Sequence, residues 1–312
     1  NTTGDNNTAV GRNALGANTT ADNNTAVGRD ALEANTTGYD NTAVGHLAAT
    51  AITTGIRNDA VGKGALNALT TGNSNSAVGY YAGGALTTGA YNVAIGRAAL
   101  STATTSESNT AVGYNAAYSA TIGNTNTSIG REAMYTNVAA DRNTALGYRS
   151  LYTMSRSTTA DTYNVAVGNE AGYSCTTGAQ IVAVGGNAAR SSTTADGIVA
   201  VGFEAAKDWV GSYSITAIGY LALANCTTGV NNTALGRNSL TTLTTASENT
   251  ALGNMSMQAA TTGYENVAVG SNSLYTLTTG ATNTALGHNA LYTNNASNNT
   301  AVGKDALKLN TT

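Results

Sequence analysis

The 312-residue chain contains no proline, where average usage would give about sixteen, and only 10% of its residues are charged, against about 25% for an ordinary soluble domain. Disordered segments are normally rich in charge and proline, so this composition argues against disorder. The aromatic set is one Trp, one Phe and 16 Tyr. Every apolar run is broken by Thr, Asn or Gly well short of the roughly 18 residues that a membrane-spanning helix needs, so no membrane insertion is expected. A net charge of −3 leaves no footprint for nucleic acid. The 36 glycines do not fall at every third position, which excludes a collagen-type helix.

What is present is a repeat. The phrase Asn-Thr-Ala-Val-Gly and its variants recur, and the closing glycines stand at 11, 28, 45, 62, 79, 96, 113, 130, 147, 168, 185, 202, 219, 236, 253, 270, 287 and 303. Of the 17 intervals, 15 are 17 residues, one is 21 and one is 16, so 1–312 reads as a single repeat domain with a longer loop near 155–162. With each glycine numbered zero, column −4 is Asn in 15 of 18 repeats, the others being Ile181, Ile198 and Ile215. Column −2 is Ala except at Ser128, column −1 is Val, Ile or Leu, column +3 is Ala or Ser, and columns +8 to +10 usually read Thr-Thr-Gly.

Seventeen residues cannot hold two helices and their turns, and Asn, Thr, Val and Gly are mediocre or poor helix formers. Columns −3 to −1 read as a short strand, Ala-Leu at +3 and +4 as the start of a second, and Thr-Thr-Gly as a turn. The expectation is an all-β parallel β-solenoid, a β-roll of about 18 coils stacked about 4.8 Å apart. Asn7, Asn24, Asn41, Asn92 and Asn164 are then rungs of an amide ladder, while Gly11, Gly28, Gly45, Gly96 and Gly168 mark positive φ or close backbone approach.

Side chains alternate along a strand, so columns −4 and −2 share one face. Asp59 is the only charge in columns −4 to −1. An uncharged Ala/Asn stripe outside the coil would be covered by other copies, which makes Ala9, Ala26, Ala43, Ala94, Ala166 and Ala268 the expected interface of a homo-oligomer. Column +1 carries an outer ridge, Arg97, Tyr114, Arg131 and Tyr148, with Tyr118, Tyr135, Tyr152 and Tyr173 in column +5, and such residues suit carbohydrate or protein surfaces.

No catalytic or metal constellation is expected, and no cofactor. His46 and His288 are many coils apart. Cys175 and Cys226, both in column +7, are three coils or about 14 Å apart, too far for a disulfide within the chain. The acids Asp30, Glu132, Glu170, Glu204 and Asp305 share column +2 without forming a close dyad in a cleft, so an enzyme is not expected. Adjacent residues of the Thr-Thr rows point to opposite sides, which disfavours an ice-binding array. Asn6, Asn23, Asn35 and Asn231 stand in Asn-x-Thr glycosylation sequences.

The phrases Asn-Thr-Ala-Val-Gly (7–11, 24–28, 41–45), Asn-Val-Ala-Ile-Gly (92–96) and Asn-Val-Ala-Val-Gly (164–168, 266–270) resemble the head repeats of trimeric autotransporter adhesins. The resemblance covers essentially the whole chain and implies a left-handed roll, three chains about one axis, and binding to host surfaces or matrix. That family's repeat is typically shorter, and this sequence shows no neck, stalk or membrane barrel. Similar arrays resemble phage fibres and surface filaments. The implied function is a structural and adhesive extracellular or cell-surface fibre segment, with a self-polymerising surface filament or a phage tail-fibre shaft in a virion as alternatives. The terminal phrases Asn1-Thr2-Thr3 and Asn310-Thr311-Thr312 carry no polar cap, which suggests a fragment of a longer array or end-to-end stacking.

Overall fold

The computed structural model describes residues 2–310; Asn1, Thr311 and Thr312, which belong to the two terminal phrases, lie outside the described residues. The chain divides into two compact units, 1–162 and 163–312. Among the described residues there is no helix, and each unit is a parallel β-solenoid with nine three-residue strands, from Thr8–Val10 to Thr144–Leu146 and from Val165–Val167 to Thr300–Val302. Strands pair in strict column register, for example Thr25↔Thr42, Ala26↔Ala43 and Val27↔Val44. Within each unit the strand residue in column −3 donates to the column −4 carbonyl of the next coil, as Thr25 N does to Asn41 O at 2.8 Å, and the glycine N–H returns to column −1 of the previous coil, as Gly28 N does to Val10 O at 2.8 Å.

The period, the parallel register and the pairing of faces are as the sequence implies, but inside and outside are reversed. Ala26, Ala43, Ala94, Ala166 and Ala268 are at most 1% exposed, in contact with their own coil's interior, and only Ala9 in the first strand is open. They are core residues and not an intermolecular face. The outward residues are those of columns −3 and −1: Val78 is 43% exposed and Leu286 46%. The interior is thin, and the Leu of column +4 and the residue of column +7 fill what the alanines leave; Leu32, Leu66, Leu69 and Leu100 are fully buried. Burying each of these leucines is worth about 1.5–3 kcal/mol.

The second strand expected at Ala-Leu is a turn. Columns +2 and +4 both take positive φ, as in Asp30 (60°) and Leu32 (48°), and so does column −5, as in Asn23 (59°). A left-handed non-glycine residue costs about 1–2 kcal/mol. For Leu32 this is offset by burial and by the bond from its N–H to Ala48 O in the next coil at 3.1 Å. Asn and Asp tolerate this conformation better than most residues, which explains their frequency in columns +2 and −5.

The repeat glycine is obligatory for two reasons. Its φ lies between 123° and 145°, and a Cβ on Gly79 would stand 2.5 Å from Gly96 O. The amide ladder is present and does more than stack. Asn41 Nδ2 donates to Asn24 Oδ1 (3.2 Å) and to Gly55 O (2.9 Å), which lies 14 residues on in the same coil. Its Oδ1 accepts the backbone N–H and Nδ2 of Asn58. Asn7, Asn24, Asn92 and Asn164 close their coils in the same way, onto Ala21, Gly38, Ser106 and Gly178. Each Asn therefore ties its own coil shut and fixes the register of the next.

In the second unit Ile181, Ile198 and Ile215 replace three rungs and are buried. Trp209, the largest fully buried side chain, fills column +7 of the middle coil, and residue 211 is glycine where a Cβ would meet the indole at 2.5 Å. Near the end of the first unit, residues 160–161 of the longer loop form a short strand, pairing with Ala140–Asp141. The Thr162 hydroxyl donates to Asn143 Oδ1 at 2.6 Å, capping that rung.

Candidate functional site

In an in-register solenoid every column is a row of neighbours, so identical or complementary residues one repeat apart must touch. Column +1 turns outward immediately after the glycine. In the first unit it reads Lys63, Tyr80, Arg97, Tyr114, Arg131, Tyr148 over six successive coils. Lys63 Nζ lies 5.7 Å from the Tyr80 ring centre, and Arg97 lies 5.8 Å from Tyr80 and 5.6 Å from Tyr114. Arg131 stands 5.8 Å from Tyr114 and 5.6 Å from Tyr148. The four expected ridge residues are thus brought together as a continuous alternation of cations and aromatic faces, each contact worth about 0.5–1 kcal/mol at an exposed site.

A second row runs beside it in column +5. Tyr118 and Tyr135 stack at 5.1 Å and 8°, and Tyr135 and Tyr152 at 5.3 Å and 9°. In the two coils before Tyr118, column +5 holds Gly84 and Ser101, so the aromatic stack ends at Tyr118, whose ring is half-buried. At this point the ridge and the stack border an open surface cavity of about 340 Å³, lined by Tyr80, Tyr81, Arg97, Ser101, Tyr114 and Tyr118. The cavity depends on small residues, Ala98 and Ser101, next to large ones. A repeat consensus averages that difference away, although the columns themselves carry the signal.

The charges along the ridge are unequal. Glu132 accepts from Arg149 Nε at 2.7 Å and pairs with Arg131 at 3.4 Å. The hydrogen bond from Arg149 holds the Glu132 carboxyl below its ordinary value, against an opposing effect of burial. Among the described residues no carboxylate lies within 4 Å of Lys63 or Arg97.

The other expected residues fall as follows. The column +2 acids are each paired with a nearby cation: Asp30 with Arg29, Glu170 with Arg190, Glu204 with Lys207 and Asp305 with Lys308. Cys175 and Cys226 are buried thiols outside any disulfide, and burial pushes the Cys226 thiol up to about 11. His46 contacts the Arg29 guanidinium of the preceding coil in the same column. In the Thr-Thr rows the first hydroxyl is consumed inside the stack, as Thr53 Oγ1 to Thr70 O at 3.3 Å and Thr70 Oγ1 to Thr87 O at 3.0 Å. Asn6, Asn23 and Asn231 are exposed, but Asn35 is buried and bonded to Gly38 O. A second ladder in column +11 is not evident from the sequence: Asn73, Asn124, Asp141 and Asp196 side chains each accept a backbone N–H from the preceding coil. Comparison with protein-family models, with curated proteins and with solved structures finds no match.

Proposed function

We propose that this chain is a structural and adhesive segment of an extracellular fibre, self-associating as a homotrimer, with no catalytic role. The observation that carries the reading is the outward face of the strands. Columns −3 and −1 consist of Thr, Val, Ile and Leu, with Ser76 and the single charge of Asp59 as exceptions, and Val61, Val78, Ile95, Ile129 and Leu146 are each 36–44% exposed. A sheet face turned to water normally carries charge, and a long apolar one is a liability unless something covers it. A second copy of the same face is a self-complementary cover. The repeat's resemblance to adhesin heads favours three chains and an extracellular setting, and the pairing of every column +2 acid with a cation favours a non-enzymatic surface.

Sedimentation equilibrium of the purified chain tests this directly. The expected mass is three times that of one chain, and Val78→Glu combined with Ile95→Glu lowers it to one. A wild-type chain that sediments as a monomer at every concentration overturns the reading.

One observation favours a second reading. The outward columns present hydroxyl and branched methyl groups in a repeated, rigid register, a surface suited to ordering water as ice. Thermal hysteresis in a freezing assay would support that reading, and its absence ends it.

A further inference from the structure

We infer that the column +1 ridge of the first unit, with the cavity at Tyr118, is a binding site for an extended acidic polysaccharide bearing one anionic group per two sugars. The inference deepens the adhesive half of the proposed function and rests on it.

The argument begins with spacing. Cations alternate with tyrosines along the coil axis, so Lys63, Arg97 and Arg131 recur every second coil, or about every 10 Å. This is close to the advance of two sugar rings in an extended pyranose chain. A polymer with a carboxylate or sulfate on alternate sugars would therefore present its anions in step with these three cations.

Charge supports the same ligand. Arg131 is partly neutralised by Glu132, but among the described residues Lys63 and Arg97 have no carboxylate within 4 Å. The Arg97 guanidinium is held between the Tyr80 and Tyr114 rings at 5.8 and 5.6 Å. Stacking occupies the faces of the guanidinium and leaves its N–H edge free for a two-pronged bond to an oxyanion. The two ring contacts restrict this exposed side chain, so binding forfeits less of its rotational freedom than for an uncontacted Arg.

The cavity supplies the uncharged contact. Tyr118 is backed by Tyr135 and Tyr152, and its other face looks over Ser101 into the space of about 340 Å³. An apolar sugar face can lie flat on that ring while the Asn115 amide and the Tyr hydroxyls around the cavity meet its hydroxyl groups. The adjoining acidic sugar then falls at Arg97.

Titration calorimetry at low salt tests the site with three probes: a hyaluronan hexasaccharide, with one carboxylate per disaccharide, a neutral N-acetylglucosamine hexamer, and a sulfated heparin hexasaccharide. The hyaluronan fragment is expected to bind at least about ten-fold more tightly than the neutral hexamer. Arg97→Gln and Tyr118→Ala should each weaken it about ten-fold, and Lys304→Gln, in the same column elsewhere, should leave it unchanged. Tighter binding of the heparin fragment, which carries an anion on every sugar, overturns the spacing of one anionic group per two sugars. Binding that is lost with salt but indifferent to Tyr118→Ala, equal binding of the neutral probe, or no binding by any probe overturns the site. Unchanged circular dichroism and melting of both variants establish that their folds are intact. A trimer that fails to bind refutes the ligand alone, and a monomer that binds refutes the assembly alone.

Discussion

Two stretches of this molecule build the same coil around different interiors. From Asn24 to Asn126 column −4 is an unbroken row of buried asparagines, each bonded along the row and across its own coil. At Ile181, Ile198 and Ile215 in the second unit the row becomes hydrocarbon, with Trp209 and Cys226 in column +7. Coil length, strand position and strand register are unchanged, as in Val182↔Val199. The two interiors are comparable in energy. Three hydrogen bonds at about 1 kcal/mol each roughly match a buried Ile at about 1.5–3 kcal/mol. The ladder is therefore not required to hold a coil together. What it adds is direction, because an amide bonded to its neighbours has one register, whereas an Ile is indifferent to slippage.

The largest effect of substitution should not distinguish the stretches at all. Gly79 lies in the laddered stretch and Gly202 in the middle coil of the Ile stretch, with φ of 138° and 134° and a prospective Cβ 2.5 and 2.4 Å from the next glycine's oxygen. Gly79→Ala and Gly202→Ala should each cost about 4 kcal/mol or more, read as loss of the cooperative melting transition of the unit concerned. A harmless substitution at either site would show that the column does not require glycine.

Next in size are exchanges between the interiors. Asn75→Ala removes the bonds to Asn58 Oδ1 and Gly89 O and strands the Asn92 N–H, for a loss of about 3–5 kcal/mol in denaturant unfolding. Ile198→Asn alone should cost about 2–4 kcal/mol, because its amide gains no rung on either side. Replacing Ile181, Ile198 and Ile215 together with Asn should cost clearly less than three times the single change, since the new rungs satisfy one another. Strict additivity would mean that the rungs do not cooperate.

A smaller effect has the opposite sign. Ser128 is the only non-alanine in column −2 and is buried, and its hydroxyl has no partner. Ser128→Ala should stabilise the laddered unit by about 1 kcal/mol, measured by thermal melting. The contrast is with Ser150, Ser239, Ser256 and Ser273 in column +3, whose hydroxyls donate to the glycine carbonyl three residues back at 2.8–3.1 Å; alanine there should give no gain.

The smallest effect depends on pH. The folded state holds Glu132 below its ordinary value of 4.5, chiefly through the bond from Arg149. Its contribution to stability is complete above that value and is lost as pH falls through the lower folded value. Arg149→Gln should flatten the acid limb of the first unit's stability profile, and an unaltered limb would remove Glu132 from the acid response.

The sequence discloses the period, the parallel register, the glycine requirement and the ladder, because each is a property of a column and the columns are strict. It also discloses which residues share a face. It does not disclose which face is inside, since alternation is symmetric under exchange of the two sides. Size points the wrong way: Val in column −1 looks like core, but the space opposite is already filled by Leu in column +4. The overlooked clue is Asn itself. A side chain fixed by bonds across the coil belongs in the interior, and Ala in column −2 must follow it. The paired left-handed turns at +2 and +4 are invisible for another reason, because Leu gives no local sign of adopting a conformation that only burial and neighbouring coils support. The ridge is legible from its spacing, while the Tyr118 cavity requires the exceptions in each column to be read as carefully as the rule.

Side-chain amide hydrogen exchange in chain labelled with 15N asparagine tests the central assignment of interior and exterior most directly. The Nδ2 protons of Asn41, Asn58, Asn75, Asn92 and Asn109 should exchange orders of magnitude more slowly than those of exposed Asn6, Asn23 and Asn231. If the two sets exchange at the same rate, the Asn/Ala wall faces water, and the assignment of inside and outside is contradicted.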